Sequence, residues 1–258
     1  MVDDRSTSQP VVRSGGVDLA TEVVDGREPA LLWLGGFRSD MTGGKAEHLA
    51  AWGQDAGQRV VRFDYRGHGA SPGQFEDFTI TDWLADAAAV DDALCPDRTI
   101  AVGSSMGGWI ALLLARQRLA QGRPFAGMVL IAPAADFTER LMWPSLPEEM
   151  QEAIRTEGFA LLPSDYGDPY PITRQLFEDG RKHLLYDTGP IETACPVHIL
   201  QGVRDEPVPY QHTLELMEHL ASDEVTLTLV KDGDHRLSRD EDLARLVAAV
   251  ESVTARAG

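Results

Sequence analysis

The sequence predicts an α/β fold in which a mostly parallel central sheet is covered by helices on both faces. Apolar, strand-like runs alternate with helix-like segments along most of the chain. This alternation is typical of parallel sheets, because each parallel pair of strands needs a crossover connection. The length of 258 residues also fits one large unit, since α/β enzymes often reach about 250 residues as a single domain.

The individual elements follow from hydrophobic periodicity. Short apolar runs predict strands at residues 30–34, 59–65, 99–103, 128–132, 197–200 and 225–230. Apolar residues at helical spacing, or runs rich in Ala and Leu, predict helices at residues 45–58, 79–94, 106–121, 214–221 and 243–253. Thr79 or Thr81 is a suitable N-cap for the second of these helices.

The alternation is interrupted once, between residues 137 and 194. This stretch contains several prolines and is too long for a simple loop. We therefore expect a small cap of short helices, inserted into a core that residues 1–136 and 195–258 form. The stretch is rich in aromatic residues, which we expect mainly to pack inside the cap: Phe137, Trp143, Phe159, Tyr166, Tyr170, Phe177 and Tyr186.

Composition and charge exclude several classes of function. The net charge of −18 makes nucleic acids and anionic membranes poor partners. No apolar run approaches the ~20 residues that a spanning helix needs, so we expect no membrane span. The start of the chain is polar and acidic, and two cysteines give no disulfide framework, so we expect a cytoplasmic protein. No pattern of metal ligands is present, so we expect neither a metal nor a cofactor.

A candidate nucleophile lies in the segment G-S-S-M-G at residues 103–107. The segment matches G-x-S-x-G and stands between a predicted strand and a predicted helix. In that context the chain must turn sharply and expose the serine at the carboxyl end of the sheet. The spacing of the glycines selects Ser105 rather than Ser104 as the nucleophile.

An acid and a histidine follow the nucleophile, each directly after a predicted strand. His235 follows the last strand, and Asp205 follows the strand before it. An imidazole can accept the serine proton near neutral pH, and a carboxylate fixes the imidazole tautomer. Asp136 also follows a strand and is the alternative acid. We favour Asp205 because its loop continues into a helix start, whereas Asp136 opens the predicted cap.

An oxyanion site is predicted in the loop G-G-F-R-S-D at residues 35–40, which follows an early strand. One backbone N–H from such a loop and one from the residue after the nucleophile stabilise a tetrahedral intermediate. In this sequence the two donors are Phe37 and Met106.

The segment D-Y-R-G-H-G-A-S at residues 64–71 resembles the turn D-x-R-G-x-G-x-S of the α/β-hydrolase superfamily. In that superfamily the turn braces the oxyanion loop, which implies structural roles for Asp64, Arg66 and His68. The segments 36–46, 103–109 and 234–236 resemble the branch that contains mitochondrial acyl-glucuronide esterases and palmitoyl-protein thioesterases with their bacterial relatives. The resemblance implies the α/β-hydrolase fold and the catalytic triad Ser105, Asp205 and His235.

The predicted function is that of a serine hydrolase, of carboxylesterase or acyl-thioesterase type. Its substrate would be a small-molecule acyl ester or thioester, cleaved through an acyl-enzyme intermediate, and the resemblance also implies S-acylated proteins as substrates. The same residues fit two alternatives: a small-molecule binding protein with slow turnover, and a perhydrolase or C–C hydrolase. A serine at residue 105 excludes haloalkane dehalogenase chemistry, which needs an aspartate there.

Overall fold

The computed structural model describes residues 7–95, 97–164 and 167–257. Tyr166 and the first six residues of the polar start of the chain, which figure in the sequence analysis, lie outside these residues.

The described residues contain strands and helices that alternate along the chain. The strands are β1 (Thr7–Ser8), β2 (Val12–Ser14), β3 (Val17–Leu19), β4 (Thr21–Val24), β5 (Arg27–Leu34), β6 (Gln58–Phe63), β7 (Thr99–Ser104), β8 (Gly127–Ile131), β9 (Phe159–Ser164), β10 (Gly167–Thr173), β11 (Val197–Gly202) and β12 (Val225–Val230). The helices are α1 (Gly44–Ala56), α2 (Ile80–Leu94), α3 (Met106–Ala120), α4 (Trp143–Ser145), α5 (Glu148–Thr156), α6 (Arg174–Gly180), α7 (Tyr210–His219) and α8 (Asp240–Arg256). Shorter helical turns are found at Phe75–Asp77, Thr138–Met142, Arg181–His183 and Tyr186–Thr188.

Within the described part of the chain, eight strands form the central sheet in the order β1-β4-β6-β5-β7-β8-β11-β12. The six strands from β6 to β12 are parallel to their neighbours, and β4 and β1 add an antiparallel edge. The predicted mostly parallel sheet is therefore confirmed. The predictions omitted β1 to β4, because these strands are two to four residues long and give little periodicity.

The central strands of the sheet are buried on both faces, which explains why they read as continuous apolar runs. Every residue of β7 is buried. One face packs against Trp83 of α2 and Trp109 of α3, and the other packs against Leu49 of α1 and Val250 of α8. Thr79 caps α2 reciprocally with Asp82, which confirms the first of the two predicted N-caps.

The insertion between residues 137 and 194 differs from the predicted cap of helices alone. It contains α4, α5 and α6, but β9 and β10 form an antiparallel hairpin between α5 and α6. The pairing partners Ala160 and Ile172 pack with helix residues into a small core that belongs to the insertion itself: Leu146, Ile154, Ala160, Ile172 and Phe177. Prolines in and beside the strands hid this hairpin in the sequence, since proline usually indicates a break in a strand.

A buried ion pair links two helices on one face of the sheet. Arg118 of α3 donates to the carboxylate of Asp91 of α2, and both side chains are almost completely inaccessible to solvent. A buried pair is costly to break, because removing one partner leaves the other charge without compensation in a low-dielectric interior.

We expect Asp91→Asn to lower the free energy of unfolding by about 3–5 kcal/mol, because Arg118 would keep its charge but lose its carboxylate. Glu152→Gln is the matched control. Glu152 pairs with Arg155 on the surface, where both side chains are more than half exposed, so we expect a loss of under about 1 kcal/mol. Urea unfolding curves would measure both changes, and equal losses in the two variants would contradict this account of the buried pair.

Candidate active site

The structure places Ser105 at the sharp turn between β7 and α3, as the sequence predicted. Its backbone has φ 55° and ψ −118°, a region that residues other than glycine rarely occupy. Holding such a conformation costs about 1–3 kcal/mol, and it persists only where the surroundings enforce it. This backbone conformation points the serine side chain away from the sheet and into an open cavity.

The two glycines of the motif are required by close backbone approach. A Cβ atom on Gly107 would lie 2.0 Å from the carbonyl oxygen of Leu34, and one on Gly103 would lie 2.4 Å from that of Gly107. Both distances are far shorter than any real contact of a Cβ atom. The helix α3 can therefore start against β5 and β7 only if these positions carry no side chain.

His235 and Asp205 meet at the same rim of the sheet. Asp205 lies in the loop after β11 and His235 in the loop after β12, and these two strands are parallel neighbours. The distance between His235 Nδ1 and Asp205 Oδ2 is 2.8 Å. The Asp205 side chain is fully buried, whereas that of His235 is 29 % exposed. The carboxylate thus holds the inner edge of the ring and leaves Nε2 available to the cavity.

Two further contacts fix the Asp205 carboxylate. Its Oδ1 accepts the backbone N–H of Val208 at 2.8 Å, and its Oδ2 accepts from the Gln201 side chain at 3.1 Å. Gln201 is in turn held by Thr213, whose hydroxyl donates to its Oε1. The sequence analysis missed Gln201, although a polar residue at the end of an apolar strand is a signal of such a role.

The alternative acid, Asp136, binds backbone groups and does not contact His235. Its buried carboxylate accepts the backbone N–H groups of Leu185 at 2.9 Å and Tyr186 at 3.1 Å. These residues belong to the segment where the insertion returns to the core. Burial raises the pKa of Asp136, and the two N–H donors partly oppose that rise. The structure brings Asp205, and not Asp136, to the histidine.

The predicted oxyanion loop packs directly against the turn that carries Ser105. A Cβ atom on Gly36 would lie 3.5 Å from the Ser105 Cβ, so the loop passes as close as ordinary contact allows. Phe37 and Met106 both line the cavity beside the nucleophile. Met106 is the first residue of α3, and an N–H in the first turn of a helix has no acceptor within that helix.

The turn at residues 64–71 braces this loop, as the resemblance implied. Asp64 accepts the backbone N–H of Met41 at 2.6 Å, and His68 Nε2 accepts that of Arg38 at 3.2 Å. Burial lowers the pKa of His68 to about 4, so the ring is neutral at pH 7 and its Nε2 can act as the acceptor. Arg66 is held by Asp86 in a buried ion pair. Asp64 and His68 therefore brace the loop and its continuation at Met41, whereas Arg66 contacts α2.

A cavity of about 620 Å³ opens over the serine. Ser105, Met106 and His235 form part of its floor, and the insertion supplies much of its wall through apolar side chains such as Leu141, Met142, Leu146, Met150 and Leu162. Tyr170 of β10 also lines it, and the Arg38 guanidinium lies 3.8 Å from the centre of the Tyr170 ring. The cap and the oxyanion loop therefore contact each other at the edge of the cavity.

Metal centres and membrane helices are both absent from the described ranges. Within these residues, no group of three or more His, Cys, Asp or Glu side chains is arranged to hold a metal ion. In the same part of the chain, no helix is long and apolar enough to cross a membrane.

Comparison with known proteins identifies the family. The family model of the α/β hydrolase family matches residues 31–250. This match spans most of the chain, so the protein belongs to the α/β hydrolase family, and the predicted fold is confirmed.

Individual proteins that resemble this chain give a more specific comparison than the family model. The chain is 32 % identical to the mitochondrial palmitoyl-protein thioesterase ABHD10 of Mus musculus, over 93 % of this chain and 80 % of that protein. Among solved structures, a putative hydrolase from Agrobacterium vitis has a TM-score of 0.89 and 46 % identity, with coverage of 96 % of this chain and 98 % of that one. The structure of mouse α/β hydrolase domain-containing protein 10 has a TM-score of 0.86 and 29 % identity, with coverage of 97 % and 100 %.

We expect Gly107→Ala to lower the free energy of unfolding by about 3 kcal/mol, because the new methyl group would displace the backbone of Leu34. Gly44→Ala is the control. Gly44 begins α1, and no atom lies within 4 Å of the place that its Cβ would occupy, so the change should be within about 0.5 kcal/mol or slightly stabilising. Thermal and urea unfolding would measure both, and wild-type stability in Gly107→Ala would contradict the packing argument.

Proposed function

We propose that this protein is a serine hydrolase that cleaves ester or thioester bonds of acyl substrates. Ser105 would be the nucleophile, His235 the general base and Asp205 the acid that orients the histidine. Backbone N–H groups of Phe37 and Met106 would hold the oxyanion. The reaction would proceed through an acyl-enzyme intermediate.

One observation carries the proposal. Ser105 and His235 open onto the same apolar cavity, while Asp205 holds the far side of the His235 ring at 2.8 Å. A hydroxyl is a weak nucleophile until a base takes its proton. A base held by a buried carboxylate and facing the same space as a strained, exposed serine is the arrangement that acyl transfer requires.

In the first half of the reaction, Ser105 Oγ attacks the substrate carbonyl carbon as His235 Nε2 takes the hydroxyl proton. The Asp205 carboxylate stabilises the imidazolium that forms, without taking its proton. The carbonyl oxygen becomes an oxyanion beside the N–H groups of Phe37 and Met106. When the tetrahedral intermediate collapses, the bond to the leaving alkoxide or thiolate breaks, and His235 returns the proton to it.

In the second half, water attacks the acyl carbon of the Ser105 ester. His235 takes a proton from the water and then delivers it to Ser105 Oγ, so the carboxylic acid leaves and the enzyme is regenerated. The histidine must therefore act as a base and as an acid in each half. A ring held on one side by Asp205 and open on the other can do both.

The cavity supports an acyl substrate. Its volume lies in the usual range of ligand pockets, about 300–1,000 Å³, and its wall is mainly apolar. An acyl chain could lie against the cap, with its carbonyl over Ser105. The relative ABHD10 is named as a palmitoyl-protein thioesterase, which favours thioesters, and S-acylated proteins among them, beside small acyl esters.

The test is a panel of p-nitrophenyl esters and matched acyl thioesters of graded chain length. We expect the wild type to hydrolyse both kinds of substrate and Ser105→Ala to lose at least about a thousandfold in kcat, because the nucleophile is absent. Both proteins should melt at similar temperatures, since the hydroxyl faces the cavity. Ser104→Ala, which removes the adjacent hydroxyl from the end of β7, is the control and should keep wild-type turnover.

Near-normal turnover in Ser105→Ala would contradict the proposal. An active wild type that accepts esters but no thioester would restrict the function to an esterase. A wild type that binds acyl ligands but turns over neither substrate would favour the binding-protein alternative.

A second prediction separates the two candidate acids. We expect Asp205→Asn to lower kcat by about ten-thousandfold, because the amide leaves the histidine in the wrong tautomer. KM should change much less. Asp136→Asn should keep most of its kcat and lose stability, because its carboxylate binds the returning chain of the insertion. Kinetics and melting curves of both variants would decide, and the reverse pattern would move the acid to Asp136.

A further inference from the structure

Lys45 makes a contact that the proposed mechanism does not use. The chain has three lysines, and two of them, Lys182 and Lys231, are exposed. Lys45 is the second residue of α1 and is partly buried. Its ammonium group donates a hydrogen bond to the backbone carbonyl of Arg236, which is the residue directly after His235.

This bond joins two distant parts of the chain. Lys45 and Arg236 are 191 positions apart in sequence, so the contact ties the start of α1 to the loop that carries His235. Other bonds lie within that loop: Asp234 Oδ1 accepts the N–H groups of Arg236 at 3.1 Å and Leu237 at 3.0 Å, and the Arg236 carbonyl also accepts the Ser238 hydroxyl at 2.9 Å. These local bonds set the shape of the loop, whereas the bond from Lys45 attaches it to α1.

The position also places Lys45 among charges of the site. Three carboxylates attract the ammonium group: those of Asp205 after β11, Asp234 after β12 and Asp242 in α8. Two guanidinium groups also lie nearby, those of Arg236 after β12 and Arg245 in α8. Lys45 shares a small cavity of about 10 Å³ with Leu237. Leu237 has φ 43°, so the loop keeps a strained residue directly beside this attachment.

We propose that Lys45 is a positioning residue, which holds the His235 loop against α1 so that Nε2 faces Ser105. This inference rests on the proposed function. A hydrogen bond from a charged donor is roughly twice as strong as a neutral one. A displacement of about 1 Å at a catalytic group can cost about a hundredfold in rate, so a tether beside His235 is sufficient to affect turnover.

The strength of the hydrogen bond from Lys45 to the Arg236 carbonyl depends on pH. Burial, with a smaller contribution from Arg236, lowers the pKa of Lys45 to about 8, and the carboxylates around it oppose that decrease. As pH rises through about 8, Lys45 loses its charge and becomes a weaker donor. An arginine at the same position would stay charged throughout this range.

The positive charge of Lys45 lowers the stability of the folded protein, whereas a charge in a structural ion pair raises it. The pKa of Lys45 is lower in the folded protein than its ordinary value of 10.5, so the unfolded chain binds this proton more strongly. The charge therefore lowers stability fully below about pH 8, and this destabilisation is lost as pH rises from about 8 toward 10.5. Replacing Lys45 by an uncharged residue of similar length should not lower the melting temperature at pH 7.

The experiment compares wild type, Lys45→Met, Lys45→Arg and the control Lys231→Met. The probe is p-nitrophenyl octanoate, with kcat and KM measured from pH 6 to 9.5. Active sites are counted by stoichiometric labelling with a fluorophosphonate. We expect Lys45→Met to lose about ten- to a hundredfold in kcat per site at pH 7, with little change in KM. Lys45→Arg should recover most of this loss, and Lys231→Met should match the wild type.

The pH profile gives the second readout. The wild type should show a fall in kcat centred near pH 8, where Lys45 loses its charge, and Lys45→Arg should lack this fall. Wild-type kcat per site in Lys45→Met would overturn the positioning role of Lys45 but not the proposed function. An identical alkaline fall in kcat in wild type and Lys45→Arg would do the same. A wild type without any ester or thioester turnover would overturn the proposed function, and this inference with it.

Discussion

The site is built around one strained residue, Ser105, held at φ 55° between a buried strand and a buried helix. The strain is enforced by packing: α3 starts so close to β5 and β7 that Gly103 and Gly107 have no room for a Cβ atom. This packing also brings the loop at residues 35–40 against the serine. Ser105, the first turn of α3 and the predicted oxyanion loop are therefore packed directly against one another.

The parallel sheet supplies the rest of the machinery through its topology. Because β11 and β12 are parallel neighbours, the loops that follow them leave the same edge of the sheet, and Asp205 and His235 come together although they are 30 residues apart. The described residues of the insertion supply none of these side chains and instead build much of the apolar wall of the cavity. The proposed triad and much of the apolar wall of the cavity therefore come from different parts of the chain.

Much of the fold and site could be predicted from the sequence, because the strong signals are local. G-x-S-x-G between a strand and a helix identified Ser105, and strand ends identified Asp205 and His235. The hairpin β9-β10 was missed, because its stability comes from contacts with Leu146 and Phe177 rather than from strand periodicity. The contacts of Gln201 and Lys45 were also missed. Each depends on tertiary placement, and for Lys45 the partner is a backbone carbonyl 191 residues away, which leaves no pattern in the sequence.

We propose that the acyl group passes through a covalent ester on Ser105. This ester is detected most directly by peptide mass spectrometry of the reaction with an octanoyl thioester, quenched with acid during the first turnovers. We expect an octanoyl group on the peptide that contains Ser105, formed in a stoichiometric burst and removed as turnover proceeds. Steady hydrolysis with no adduct, or an adduct that forms on another residue at the rate of turnover, would contradict it.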